Sequence, residues 1–327
     1  MRPPPTRLLA EDMIIEILLK LPVKSLLRFK CVCKFWKTLI SSPQFVKAHL
    51  NTSRTNMSRQ QLVYLAGSEI EINELVMYSV QSLFEHPSAP LKTLSFMVEN
   101  KYRFIIGSCN GLLCLFGWDG CFKLWNPSTR LISKSSPPTD LFFVPYPDTH
   151  YGFGYDHVND KYKVLVNCGP KETQVHTFGT KFWTTIKTSF CGLYTWTKLG
   201  KFVSGTLNWL TWDEDHIISF DVKNETYGEV LLPPQLDGDR CRYNYVLDVL
   251  SNCLCLCYSD EVNSVVWLMK KYGIQDSWTK LGLIPDEMVS TMRLLSFHPL
   301  CISENGVVLA KSYGSRLIVY NPNSGTF

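Results

Sequence analysis

Between Leu9 and Leu50 apolar residues recur with a helical period. Met13, Ile14, Ile17, Leu18 and Leu21 form one stripe, and Pro22 stops it, because proline lacks the N–H a helix interior needs. A second run, Leu26, Phe29, Val32/Cys33, Trp36 and Leu39/Ile40, keeps that period, with Lys24, Arg28, Lys34 and Lys37 at polar positions. Ser42 and Pro43 suit the N-cap and first turn of a third short helix carrying Phe45, Val46 and Leu50. Three such helices enclose a core too small to be self-sufficient, so a partner surface is expected to cover them. Residues 51–60 (NTSRTNMSRQ) are polar and aperiodic and read as a hinge.

Beyond residue 60 the pattern changes to short β-branched and aromatic runs separated by turn dipeptides. Arg103 to Ser108, Leu112 to Phe116 and Cys121 to Trp125, joined through Asn110-Gly111 and Asp119-Gly120, predict a three-stranded meander with two type I′ turns. Similar units are expected over Phe202 to Asp221 and Ile302 to Tyr320. A shared mark on the last strand of each unit, centred on Tyr78, Trp125, His176, Phe220, Leu268 and Tyr320, recurs at intervals of 44 to 52 residues. That spacing predicts a six-bladed β-propeller, against the alternative of an irregular antiparallel β-domain with evenly spaced hairpins. Seven residues follow Tyr320, too few for another hairpin, so the last blade is expected to be incomplete. Gln61 to Ala66 is then the expected donor, pairing with Leu317 to Tyr320.

Composition narrows the function classes. The 327 residues are 45% hydrophobic and 19% charged, which suits a folded chain with a sizeable core. No uncharged apolar run approaches the ~18 residues of a bilayer span, and the start lacks a secretory apolar block. Residues 1–50 hold nine Lys/Arg against three Asp/Glu, so the +4 net charge comes wholly from that basic segment. Such a patch suits an acidic protein or a nucleic acid. Among the twelve cysteines there is no C-x-x-C pair. Cys253, Cys255 and Cys257 would share one strand face about 6.6 Å apart, whereas thiolates on one zinc sit roughly 3.8 Å apart. Core cysteines are the favoured reading, and no metal or cofactor is expected. Nucleophile-elbow, P-loop, H-E-x-x-H and dinucleotide motifs are all absent from the sequence, so no catalytic residue is assigned. Gly152-Phe-Gly154 lacks the third glycine of a phosphate loop.

The run from Leu9-Ala10-Glu11-Asp12 through Leu21-Pro-Val-Lys-Ser-Leu-Leu-Arg-Phe29, Cys31-Val-Cys-Lys34, Trp36 and Leu39-Ile-Ser41 resembles the F-box of plant F-box proteins. Gly107-Ser-Cys-Asn-Gly-Leu-Leu-Cys114, Leu124-Trp-Asn-Pro-Ser-Thr-Arg130, Phe153-Gly-Tyr-Asp156 with Asp160-Lys-Tyr-Lys-Val164, and Leu317-Ile-Val-Tyr-Asn-Pro322 resemble the kelch-like F-box-associated domain of that family. The resemblance implies two modules of α+β class, an F-box over 8–50 and a mostly antiparallel β-domain over 61–327, joined by a linker at 51–60. It implies a non-catalytic receptor of an SCF-type ubiquitin ligase, bound to a Skp1-type adaptor and through it to cullin, in the cytoplasm or nucleus. Leu9, Ile17, Leu21, Pro22, Leu26, Val32, Cys33 and Trp36 would contact the adaptor. A target protein would meet two insertions, 135–151 and 233–245, through Phe142, Phe143, Tyr146, Tyr151, Arg242 and Tyr243, or those rings pack under their own loops. A non-degradative scaffold is the nearest alternative. A nucleic-acid reader is disfavoured, because the basic helix also carries a wide apolar stripe and the β-domain adds net negative charge.

Overall fold

The computed structural model describes residues 11–54, 56–67, 72–86, 94–97, 102–139, 149–168, 172–187, 198–211, 216–234, 236, 245–259, 263–285, 298–311, 317–321 and 324–326. Four helices open the chain: α1 (Glu11–Leu19), α2 (Val23–Phe29), α3 (Lys34–Ser41) and α4 (Pro43–Arg54). The expected second helix is therefore two. The chain leaves the α-helix through bonds from Cys31 N–H to Arg28 O and from Val32 N–H to Phe29 O, at 3.0 and 3.1 Å. Cys33 is then fully extended, and its Sγ accepts from Trp36 N–H at 3.5 Å, capping α3. This bend lets Trp36 and Ile40 fold back onto α1 and α2 instead of prolonging one stripe. Leu18, Leu26, Ile40 and Phe45 are buried at the centre, with Ile14, Leu21, Phe29 and Trp36 packed around them. Ser42 Oγ caps α4 by accepting from Phe45 N–H at 3.2 Å.

Most of the expected hinge has regular structure among its described residues. Residues 51–54 complete α4, and a 3-10 turn, Met57–Arg59, leads into the first strand.

Among the described residues six antiparallel sheets follow. The first holds β1 (Gln61–Gly67), β2 (Ile72–Ser79) and β3 (Leu94–Met97), with a short helix, α5 (Val80–Glu85), after β2. β1 pairs with β2 along its whole length, from Gln61↔Ser79 to Gly67↔Ile72. Among the described residues Gln61 to Ala66 is thus not paired with the last sheet; it forms the edge strand of its own hairpin with β2.

The second sheet holds β4 (Tyr102–Cys109), β5 (Leu112–Gly117), β6 (Phe122–Asn126) and β7 (Leu131–Ile132). The third holds β8 (Thr149–Asp156), β9 (Lys161–Cys168), β10 (Glu172–Thr177) and β11 (Thr184–Lys187). The fourth holds β12 (Lys201–Val203), β13 (Thr206–Leu210), β14 (His216–Asp221) and β15 (Thr226–Leu231). The fifth holds β16 (Val246–Leu250), β17 (Cys253–Ser259), β18 (Asn263–Met269) and β19 (Trp278–Pro285). The last holds β20 (His298–Ile302), β21 (Val308–Lys311) and β22 (Leu317–Tyr320). First strands of successive sheets lie side by side, the arrangement of a β-propeller.

The recurring mark falls on the third strand of five sheets, at β6, β10, β14, β18 and β22, but on the second strand of the first sheet. One blade plan therefore repeats five times over residues 102–320, not six. The spacing alone could not separate a second strand from a third, because both alternate in the same way. After β22, Asn321 bridges Thr326 as Asn126 bridges Leu131 at the start of β7.

Side-chain bonds close three of the turns, two of them after marked strands. Asn126, Asp156 and Asp221 each accept, through Oδ1, the N–H groups two and three residues on, at 2.8 to 3.1 Å. The fifth residue of each turn, Arg130, Asp160 or Glu225, is left-handed, with φ of 61°, 55° and 55°. Asn110-Gly111, with φ of 54° and 75°, is the expected type I′ turn. Asp119-Gly120 is not, since only Gly120 has positive φ and Gly117 N–H bonds Cys121 O at 2.9 Å, a longer loop.

Adjacent sheets are tied by specific side chains. Trp183 Nε1–H donates to Pro137 O at 3.2 Å, and Trp278 Nε1–H to Leu231 O at 3.0 Å, each indole reaching the outer edge of the preceding sheet. A Cβ at Gly152 would lie 2.5 Å from Leu207, and one at Gly154 2.7 Å from Phe202, so the G-x-G of β8 serves close packing on the fourth sheet. The family-like motif around Asp156 and Lys163 is a further inter-sheet joint. Lys163 Nζ lies 3.5 Å from buried Asp156 and 2.9 Å from Glu225, and donates to Val222 O at 2.8 Å.

Candidate functional site

The helical module presents its apolar side chains in two groups. Leu26 is core, and Leu21 and Trp36 are half-buried, the Trp36 ring 5.2 Å from that of Phe29. Ile17, Pro22, Val32 and Cys33 are exposed, while Leu9 lies outside the described residues. The expected contact set is therefore split between the module's core and its surface. Four exposed side chains outside that set, Met13, Leu27, Phe35 and Val46, add to the apolar surface. Helical period was their one sequence signal, and it marks stripes without saying which stripe faces inward. Met13 and Ile17, one helical turn apart, are 52% and 50% exposed, and Val32 is 62% exposed. Lys24, Arg28, Lys34 and Lys37 are exposed on the same module.

α4 joins this module to the β-domain. Its Lys47 Nζ lies 3.0 Å from Asp160 Oδ2 in the β8–β9 turn, and Arg54 donates to Asn110 Oδ1 in the β4–β5 turn. Tyr155 O–H donates to Asp160, and the bonds from Tyr155 and Lys47 hold that carboxyl below its ordinary value. His49 Nε2 lies 2.9 Å from Leu21 O; a carbonyl only accepts, so the ring donates and ties α4 to the end of α1.

Because the α4 contacts are to turns joining first and second strands, the helical module sits at that end of the propeller. Among the described residues, the outer strands of the second, third and fourth sheets lead towards the other end, where the next sheet's first strand begins. The segment after β7 shows this directly: N–H groups of Ser133, Ser136 and Thr139 bond in turn to Leu124 O, Phe122 O and Gly120 O, at 2.8, 2.8 and 3.1 Å. The chain thus runs beside β6 to the end away from α4 before re-entering at Thr149. So the expected insertion at 135–151 begins as a sheet edge, with Ser136 and Thr139 buried. Tyr151 lies inside β8, half-buried, its ring 5.6 Å from Phe116 and 6.3 Å from Phe122, and so packs in the core instead of lining a loop surface. Phe142, Phe143, Tyr146, Arg242 and Tyr243 lie outside the described residues.

Other candidate chemistry resolves into packing. Cys255 and Cys257 are buried on one face of β17, with Sγ atoms 3.4 Å apart, nearer than the backbone spacing because the side chains converge. Burial and the neighbouring Cys255 thiol push the Cys257 thiol well above its ordinary value, which opposes thiolate chemistry. Among the described residues no group of three or more His, Cys, Asp or Glu side chains is arranged to hold a metal ion. His176 is buried in β10 beside Phe182 O, and desolvation lowers its pKa. No helix among the described residues is long and apolar enough to cross a membrane.

Comparison with known proteins agrees with this division. An F-box domain model matches residues 8–48, and a model of the F-box associated beta propeller domain matches residues 62–320. The chain is 32% identical to an F-box/kelch-repeat protein of Arabidopsis thaliana, over 97% of this chain and 88% of that protein. It is 28% identical to the F-box protein CPR1 of Arabidopsis thaliana, over 83% of this chain and 71% of that one. Its likeness to the solved structure of Kluyveromyces lactis Hsv2 (TM-score 0.42, 12% identity, 77% of this chain and 70% of that) is too slight to bear on function.

Proposed function

The chain belongs to the plant-type F-box proteins that carry an F-box-associated β-propeller domain, and on that premise we propose that it is a substrate receptor of an SCF-type ubiquitin ligase. The observation that carries this reading is the helical module itself. Its core has four buried apolar side chains, while six large hydrophobics of the same module, Met13, Ile17, Leu27, Val32, Phe35 and Val46, remain exposed. That ratio suits a module completed by a partner. The partner is a Skp1-type adaptor, which links the receptor to cullin, and the exposed Lys/Arg face favours an acidic one.

Residues 8–50 serve as the adaptor module, 51–60 as the connector and 61–327 as the target-binding module. The target meets the propeller end opposite the adaptor module, through the connections holding Phe142, Phe143 and Tyr146 and holding Arg242 and Tyr243. No side chain of this chain performs chemistry; the receptor raises the local concentration of target lysines at the ligase's active site.

The test is co-purification of the full chain with a Skp1-type adaptor. Ile17→Asp with Val32→Asp alters exposed positions, so the folded chain should persist while adaptor recovery drops at least tenfold. Undiminished recovery with a folded variant would refute the assignment.

A further inference from the structure

We propose that the helical module is held on the propeller by an electrostatic latch that opens reversibly, and that the second and third sheets carry it. Among the described residues, no hydrophobic cluster combines side chains of the four helices with side chains of the β-domain. The junction is polar instead. Lys47 meets Asp160, which also accepts from Tyr155, and Arg54 meets Asn110. Both turns are shaped to present these groups: Asn110 and Asp160 are left-handed, at φ 54° and 55°, each at the tip of a hairpin.

The connector is pinned at the same place. Arg59 Nη1 lies 2.9 Å from Ser53 Oγ and 3.3 Å from Leu19 O at the end of α1, and Gln60 Nε2 donates to Arg54 O at 3.1 Å. Gln60 O in turn accepts from Val80 N–H at 3.2 Å, so the connector is bound to the helices and to the first sheet alike, and separation of α4 from the two β-turns pivots about it. The Lys47 and Asp160 side chains are 54% and 57% exposed, so water and salt compete directly for this pair. A junction of this kind closes at low ionic strength and opens as charge is screened.

β8 gives the latch its reach. It starts at Thr149, where the chain re-enters from the far end, and finishes at Asp156, next to the latch turn. Its eight residues span about 26 Å at ~3.3 Å each. Closing the latch therefore sets the distance and angle between the adaptor module and the opposite end. Its consequence for ubiquitin transfer rests on the proposed receptor role, whereas the latch is tested by distance alone.

Spin labels on non-natural residues at Lys37 and Lys223 of the full chain, leaving its cysteines untouched, report the separation of the helical module from the propeller by double electron–electron resonance. One narrow distance population is expected at about 0.01 M salt, with a second, broad population growing about fivefold or more at about 1 M, as the screening length falls from ~30 to ~3 Å. Asp160→Lys should produce the broad population at low salt, and Lys47→Asp with Asp160→Lys should restore the narrow one. Lys47→Asp alone probes the same contact from the helix side should the turn variant misfold. A narrow distribution indifferent to salt and to both single variants would overturn the latch, as would a broad one in the unaltered chain at low salt.

Discussion

The helical module and the second to fifth sheets use the same kinds of residue to opposite ends. In the helices, four buried apolar side chains support about forty residues, and six large hydrophobics stay exposed. Between the fourth and fifth sheets, thirteen buried residues, including Leu210, Leu247, Leu256, Trp267 and Trp278, form one continuous cluster. A second cluster of nine, around Phe116, Phe122 and Phe153, joins the second sheet to the third. Equal hydrophobicity therefore yields a self-sufficient body in one region and a docking element in the other. Geometry decides: facing sheets bury apolar side chains on both sides of each interface, while short helices have too little mutual area to cover their own stripes.

The sharpest way to break this contrast is a large truncation in each region. Phe122→Ala removes a fully buried ring and is expected to cost about 4 kcal/mol, lowering the main thermal transition while the sheets remain folded. Trp36→Ala should cost about 3 kcal/mol, less because the ring is only half-buried, yet a module of four core side chains should not survive it. Hydrogen exchange should then show amides of 14–50 unprotected in Trp36→Ala and protected in Phe122→Ala. Equal protection in both variants would erase the distinction.

A smaller effect is expected at the inter-sheet joint. Lys163→Met leaves Asp156 buried without its cation, and Glu225 unpaired, costing about 2 kcal/mol, since Asn159 and Val158 still bond the carboxylate. Denaturant melts should locate that loss in the β-domain transition.

Acid should separate the regions most gently. Burial alone would raise the Asp156 pKa, but bonds from Asn159 and Val158 and the charge of Lys163 outweigh it and hold the value lowered. At Asp248 burial is likewise outweighed, by His298 and Lys201. A lowered folded-state value stabilises above the ordinary value of 3.8 and is lost as pH falls below it through the folded pKa. The β-domain melting temperature should drop below that pH, while adaptor-module helicity, whose core is built of apolar side chains, changes less. Parallel loss of both signals would contradict the assignment of these carboxylates to sheet joints.

Much of the architecture was legible because it is local. A period of about three and a half residues marks a helix wherever it occurs, a Ser-Pro pair caps α4 through Ser42, and Asn110-Gly111 permits a tight turn since both residues tolerate positive φ. Two of the strand marks were legible for a similar reason, as those at Trp125 and Phe220 end in Asn126 and Asp221, which bond their own turns. What the chain's order of residues determined, then, was the identity of the elements, the two-module division and the family resemblance.

Only the tertiary structure decided which of those elements met. Strand alternation looks alike in a second strand and a third, so five regular blades read as six. β1 chose β2 because the nearer segment closes the smaller loop, at lower entropic cost than the distant β22. Periodicity likewise could not split Leu26, in the core, from Val32, in solvent, because inward and outward are properties of the packed module. The junction of α4 with Asp160 and Asn110, residues 113 and 56 positions away, left no trace in any local pattern. Long-range contacts of this kind depend on where the chain's turns are carried by the fold, and that is a consequence of sheet packing rather than of neighbours in sequence.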